Sequence, residues 1–356
     1  MRLKRLFSTE LYYPVHLNFV NTTGVGVYNV SMFNKLSPET IIDKRDRSLF
    51  IVAMLWFFIG AWIDSSAHTY LIDDIETFFT PWHAVLYSGY AFSVLVAVYV
   101  KNKMKDYKFD VGVLGAVIFG VGGASDAVWH TLLGIETGVE PLVSPSHLML
   151  FLGAFLMLDY VFATRPSNDQ LDTASVVAVS TIYALVMYIT QFLHPYLAYR
   201  LFFTNNDAFA AGTLFFQAML ASIVFVYAIR FKITPSQMFL LYFLSFVYVS
   251  VHFALGDAIM ILLIIGIGLI FSFAVYSLTN WYYTTNHDRK IQVSAAMIAS
   301  LYGLFFVFYL LILQPQTSYD ITWRFYGLGG LVTTPLLFGY MVGNLGVNPR
   351  TGQVVE

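Results

Sequence analysis

Apolar runs of about 20 residues dominate the chain, the length a helix needs to cross the ~30 Å hydrocarbon core of a bilayer. Ten occur, near 49–68, 81–100, 110–130, 145–164, 173–194, 209–231, 236–254, 257–283, 291–313 and 324–344. The seventh and eighth almost touch around Leu255-Gly256-Asp257, which predicts a tight hairpin. The first twenty residues contain Glu10, Pro14, His16 and Asn18, too polar for the apolar region of a signal peptide. The expected organisation is a cytoplasmic or interfacial segment over 1–48, four helices over 49–164, six helices over 165–344 and a cytoplasmic tail over 345–356.

Composition agrees with this pattern. Of 356 residues, 58% are hydrophobic and only 11% charged, against roughly 25% charged in soluble domains. So few charges cannot cover a soluble surface. The fold class expected is all-α: a polytopic membrane bundle of about ten helices whose first partner is the lipid bilayer. A net charge of −2 implies no nucleic-acid partner. The sequence contains no GxxxxGK[ST] or GxSxG motif and no complete GxGxxG, so nothing points to a nucleotide or a serine hydrolase. There is no cysteine, which excludes disulfides and thiolate metal sites.

Basic residues set the expected orientation. Lys44, Arg45, Arg47, Lys101, Lys103, Lys105, Lys108, Arg165, Arg230, Lys232, Arg289, Lys290 and Arg350 fall on one side, and only Arg200 and Arg324 on the other. This places a multi-pass protein in the plasma membrane with both termini cytoplasmic.

Within the first four helices a pattern occurs twice. Gly60, Asp64, His68 and Thr69 match Gly122, Asp126, His130 and Thr131 at an offset of 62. Pro81, His83, Leu86 and Gly89 match Pro145, His147, Leu150 and Gly153 at an offset of 64. The unit is a helical hairpin in tandem. Asp64 and His68, like Asp126 and His130, are four residues apart and share a helix face. Thr80-Pro81 and Ser144-Pro145 read as an N-cap followed by proline at the first helical position. His83 and His147 then stand at the third position, at the same membrane depth as the Asp–His pairs.

Two imidazoles and a carboxylate on one face form a first-row transition-metal set that leaves positions open for water, oxygen or substrate. Ionisable groups at membrane depth are costly, and metal coordination would offset that cost. Asp64, His68, His83, Asp126, His130 and His147 are therefore the candidate ligands, for one dinuclear or two mononuclear centres.

The Asp-x-x-x-His then Thr/Ser-Pro-x-His pattern of these residues resembles the metal-binding stretch of the C subunit of particulate methane and ammonia monooxygenases. The likeness covers about one fifth of the chain, and here the motif is doubled. It implies copper, with iron or zinc as alternatives, further membrane subunits, and oxidation of a small apolar or membrane-dissolved substrate. Two other functions fit the same ligands: a zinc hydrolase of lipid amides or esters, and a non-enzymatic metal carrier or assembly factor. The phrase DAVWHTLLGIE…SPSHL is also similar to a family of uncharacterised prokaryotic membrane proteins.

Other residues are secondary. Glu76, Glu136 and Glu140, between the ligand helices, are candidates to support the site and are expected to be mainly solvated. Asp159 and Asp257 are candidates for proton transfer or simple pairing. His194 and His252 end helices on the same side as His68 and read as interfacial; His16 and His287 have no expected role. Trp62, Trp82, Trp129, Trp281 and Trp323 read as an aromatic belt. Gly112, Gly115, Gly120, Gly122 and Gly123 suit a helix packed closely within the bundle.

Overall fold

In the computed structural model, residues 42–71, 78–105, 109–134, 136, 139–166, 170–194, 197, 207–313 and 325–347 are described. They fall within one compact unit, Leu36–Glu356. Ten long helices form where the apolar runs predict them: α1 Lys44–Tyr70, α2 Pro81–Met104, α3 Val111–Leu133, α5 Pro145–Ala163, α6 Thr173–Ile189, α7 Asp207–Ile229, α8 Pro235–Val251, α9 Ala258–Thr284, α10 Lys290–Leu313 and α11 Phe325–Leu345. A one-turn helix, α4 Glu140–Val143, precedes α5. No β-strand occurs among the described residues. Seven helices are long and apolar enough to span a bilayer, while α6 and α8 are apolar but 17 residues long.

Local chemistry sets the helix starts. Asp110, Asp172 and Asp257 each accept a backbone N–H three residues on, and Thr234 and Gln237 form a reciprocal capping box. Asp257 is thus the N-cap of α9 in the tight turn after α8. Thr80 caps α2 by accepting the N–H of His83, with Pro81 in the first position. Ser144 stands in the matching place before α5, but its hydroxyl faces His147 Nδ1 at 2.8 Å instead of capping the backbone.

The duplicated hairpins pack alike. A Cβ on Gly60 would lie 2.7 Å from the Leu86 Cα, and one on Gly122 would lie 3.0 Å from the Leu150 N. A Cβ on Gly89 would lie 2.5 Å from the Phe57 Cα, and one on Gly153 would lie 2.5 Å from the Phe119 N. Only glycine lets α1 meet α2, and α3 meet α5, this closely. On α3, Gly112, Gly115 and Gly122 face α5, while Gly120 and Gly123 face Tyr90 and Tyr87 of α2. Beyond the hairpins, α6 joins α5 to α8, α8 pairs with α9, and α7, α10 and α11 pack together. Exposed Leu95, Ile259, Leu262, Phe273 and Met341 give the bundle an apolar exterior suited to lipid.

At the end of α1 away from His68, Arg47 lies within the helix and is buried, not in a loop as its charge suggests. Its guanidinium donates to both Asp172 carboxylate oxygens, to Ser175 Oγ, to Thr164 Oγ1 and to the Val161 carbonyl. One side chain thereby ties α1 to α5 and α6. Trp62 corrects the belt expectation: it is wholly buried, edge-on to Tyr188 and to His252. Trp82 and Trp129 are partly exposed, and Trp323 lies outside the described residues.

Candidate metal centre

Each hairpin brings one carboxylate and two imidazoles together at the same end. Asp64 and His68 lie in the last two turns of α1, and His83 in the first turn of α2. Asp126, His130 and His147 hold the matching places on α3 and α5. Within each triad the ligand atoms lie within 4.8 Å of one another, and the six residues form two separate groups of three. Each of the two groups is by itself geometrically able to hold an ion.

In the first triad, His83 Nε2 is 3.2 Å from Asp64 Oδ1 and His68 Nε2 is 3.9 Å from Asp64 Oδ2. In the second, His130 Nε2 and His147 Nδ1 both lie 3.5 Å from Asp126 Oδ1. Metal–ligand bonds of 2.0–2.2 Å in a tetrahedron put ligand atoms about 3.3 Å apart, so the closest distances already match coordination spacing.

The far ring nitrogens show which atoms face the centre. His83 Nδ1 lies 2.5 Å from the Phe78 carbonyl, and His130 Nδ1 lies 3.3 Å from the Gly134 carbonyl. A carbonyl only accepts, so these nitrogens donate. In a neutral ring, Nε2 then presents a lone pair to the carboxylate. Two lone pairs at this distance repel unless a proton or a cation lies between them. Such N–H donation to a backbone carbonyl is the usual support for a metal-bound histidine.

Several buried polar atoms at the two centres lack hydrogen-bond partners: Asp64 Oδ1, His68 Nδ1, His130 Nε2 and Glu136 Oε2. Each such atom costs about 1–3 kcal/mol if left unsatisfied. A bound cation satisfies Asp64 Oδ1 and His130 Nε2 directly. The donor set and its orphaned atoms therefore fit a metal ion, and each triad is geometrically able to hold one.

The two triads differ in their surroundings. Ser146 donates to Asp126 Oδ1 at 3.0 Å, where the first hairpin has Trp82. Glu136 is buried with Oε2 3.2 Å from His147 Nδ1, which overturns its expected solvation. Burial opposes its charge, yet the neighbouring His147 imidazole and Ser144 hydroxyl hold the carboxyl below the usual carboxylate range. Glu140 is exposed at the start of α4, and Glu76 lies outside the described residues. Phe78, which the sequence does not mark, stacks on His83 with centroids 4.6 Å apart and reaches to 6.0 Å from His130, so one ring stands between the triads.

His194 and His252 are buried, not interfacial. His252 contacts Ser65 Oγ at 3.0 Å and Thr69 Oγ1 at 3.4 Å, and Tyr302 contacts His194 Nε2 at 3.3 Å. They belong to the polar packing behind α1 and join neither triad. Asp159 is half-buried on α5, and His287 is exposed between α9 and α10. His16 lies outside the described residues.

A cavity of about 50 Å³ lies between the triads, lined by Asp64, His83, Asp126 and His147 at its polar end and by aromatic and aliphatic side chains elsewhere. It exceeds the roughly 10–15 Å³ needed to admit a water-sized group. Comparison with known protein families, characterised proteins and solved structures gives no match to this chain.

Proposed function

We propose that this chain is an integral membrane metalloprotein whose Asp64–His68–His83 and Asp126–His130–His147 triads each bind a transition-metal ion on the outer face of the membrane, for copper- or iron-dependent oxidation of a small apolar or membrane-dissolved substrate. The observation that carries the metal reading is the pair of imidazole nitrogens facing buried carboxylates at 3.2–3.5 Å while their other ring nitrogens are held by carbonyls. The monooxygenase-like reading rests on the doubled Asp-x-x-x-His…Pro-x-His motif and on the apolar cavity that both triads reach. Three protein ligands per ion leave positions open, which suits reaction more than structural metal storage. A copper or iron ion would supply redox chemistry toward oxygen, whereas zinc would supply a water of lowered pKa.

The protein's own part is to fix the ligands. Phe78 and Gly134 orient His83 and His130 through their carbonyls, Ser146 orients Asp126, and the aromatic walls limit water. The basic residues support the outer-face placement, since the triads lie at the helix ends opposite Lys44, Arg45, Lys101 and Lys103.

The test is metal analysis of the purified full-length chain beside a His68→Ala plus His130→Ala double variant. Two metal ions per chain in the parent and none in the variant are expected, and equal stoichiometry in the two would overturn the reading. Copper or iron in the parent supports oxidation, and zinc alone would redirect it to hydrolysis.

A further inference from the structure

The cavity between the triads is built from repeat-related pairs. Phe57 and Phe119, Asp64 and Asp126, and His83 and His147 all line it. So do Leu86 with Leu150, and Tyr87 with Phe151. Each pair is related by the offset of 62 or 64 that defines the duplication. The void thus lies where residues of both hairpins meet, with Leu185 and Tyr188 of α6 also in its wall. The same two members of each triad face it, while His68 and His130 do not line it.

A duplication kept only for packing would close there. Here Phe57 and Phe119 touch each other, yet the space beside the carboxylates stays unfilled. One pair breaks the chemical symmetry: Tyr87 carries a hydroxyl where Phe151 has none. That hydroxyl is buried and has no hydrogen-bond partner. Tyr87 is one helical turn beyond His83, with ring centroids 6.1 Å apart. A buried hydroxyl without a partner, beside two candidate metal sites and a small cavity, suits an acceptor atom supplied by a ligand.

Resting on the metal reading above, we propose that the two sites do not act independently: one small ligand binds in this cavity, within reach of both metal ions, and accepts a hydrogen bond from Tyr87. Tyr87 is then a positioning residue for that ligand, and the two metal sites share one pocket.

The probe is azide, a symmetric three-atom anion with an acceptor at each end, titrated into the full-length protein loaded with Cu(II) in detergent. Metal content is measured on the same samples, and binding is followed by the charge-transfer absorption and by electron paramagnetic resonance. One azide per two copper ions is expected, with the signals of both sites perturbed together. Removing the first site with Asp64→Asn plus His83→Ala should weaken azide at the remaining copper by tenfold or more. Tyr87→Phe, which keeps the ring and its packing, should leave two coppers bound and weaken azide about three- to tenfold, the worth of one hydrogen bond. Two azides binding independently to two retained coppers would overturn the shared pocket and leave the metal reading intact. Unchanged affinity in Tyr87→Phe would overturn its positioning role. A parent chain that retains no copper would overturn both proposals.

Discussion

Phe57 and Phe119 meet edge to face, with ring centroids 4.7 Å apart and planes at 88°. They hold the same place in the two hairpins, and each backs a glycine of its own hairpin: Gly89 for Phe57 and Gly153 for Phe119. The duplicated units therefore contact each other through equivalent residues, as expected across a pseudo-twofold axis. The triads lie at matching ends of the two units, so hairpin packing and ligand geometry are one problem. An error at a glycine contact is transmitted to the ligands two turns away.

This gives the first prediction. A side chain at Gly153 would meet the Phe119 N at 2.5 Å and the Gly115 carbonyl oxygen at 2.7 Å, both backbone atoms that cannot swing aside. Gly153→Leu should destabilise the protein by about 3 kcal/mol, the upper end of overpacking costs, and should lower metal retention at the second triad. Gly266, whose added Cβ meets nothing within 4 Å, is the control. Gly266→Leu should stay within about 0.5 kcal/mol of the parent. Thermal unfolding in detergent reads both, and equal midpoints for the two variants would refute the close-packing argument.

The carboxylates give the second. Asp64 and Asp126 are each the centre of a triad, so an isosteric amide removes the charge while keeping the shape. Asp64→Asn and Asp126→Asn should each reduce bound metal from two ions per chain to one, and the double variant to none. Elemental analysis after gel filtration measures this. A double variant with full metal content would rule these residues out as ligands.

The third concerns Glu136. It lies beside His147. Its Oε2 faces the same Nδ1 of His147 that faces Asp126, so it adds a carboxylate oxygen beside the second centre. Glu136→Gln should weaken the second site by about 10–100-fold, the range for groups beside a ligand, and leave the first unchanged, so that competition with a chromophoric chelator shows one affinity lowered and the other kept. If both sites keep their affinity, Glu136 only fills space.

What the sequence discloses and what it withholds follows from the range of the interactions. The Asp64–His68 and Asp126–His130 pairs are local, set by helical spacing, and Pro81 and Pro145 fix where His83 and His147 enter their helices. Pairing of the hairpins is also legible, because the glycines recur with the ligands. Burial of Trp62, His194 and His252 is not, since an aromatic or imidazole at a helix end suits an interface or a core equally until its neighbours are known. Glu136 and Phe78 are set by loop paths that carry no periodic signal. Arg47 reads as one more cytoplasmic charge because its partner, Asp172, lies 125 residues away.

That pair supports the last prediction. Arg47 is buried, while the Asp172 side chain is 25% exposed, and the two are 2.9 Å apart. Removing one charge strands the other. Asp172→Asn keeps a good N-cap for α6 but leaves the guanidinium buried without its counter-charge, which should cost about 3–5 kcal/mol. Arg47→Met plus Asp172→Asn should recover part of that loss, because no buried charge remains. The pH dependence has a fixed sign. Burial works to raise the Asp172 carboxyl, but hydrogen bonds from Arg47 and Ser175 outweigh it and hold the group below the usual carboxylate range. A carboxyl depressed in the folded state contributes stability that is fully present above its unfolded value, about 3.9, and is lost as pH falls through the folded value. Unfolding midpoints of the parent should therefore drop more steeply below about pH 4 than those of Asp172→Asn. Parallel curves would show that the ion pair contributes nothing to folding.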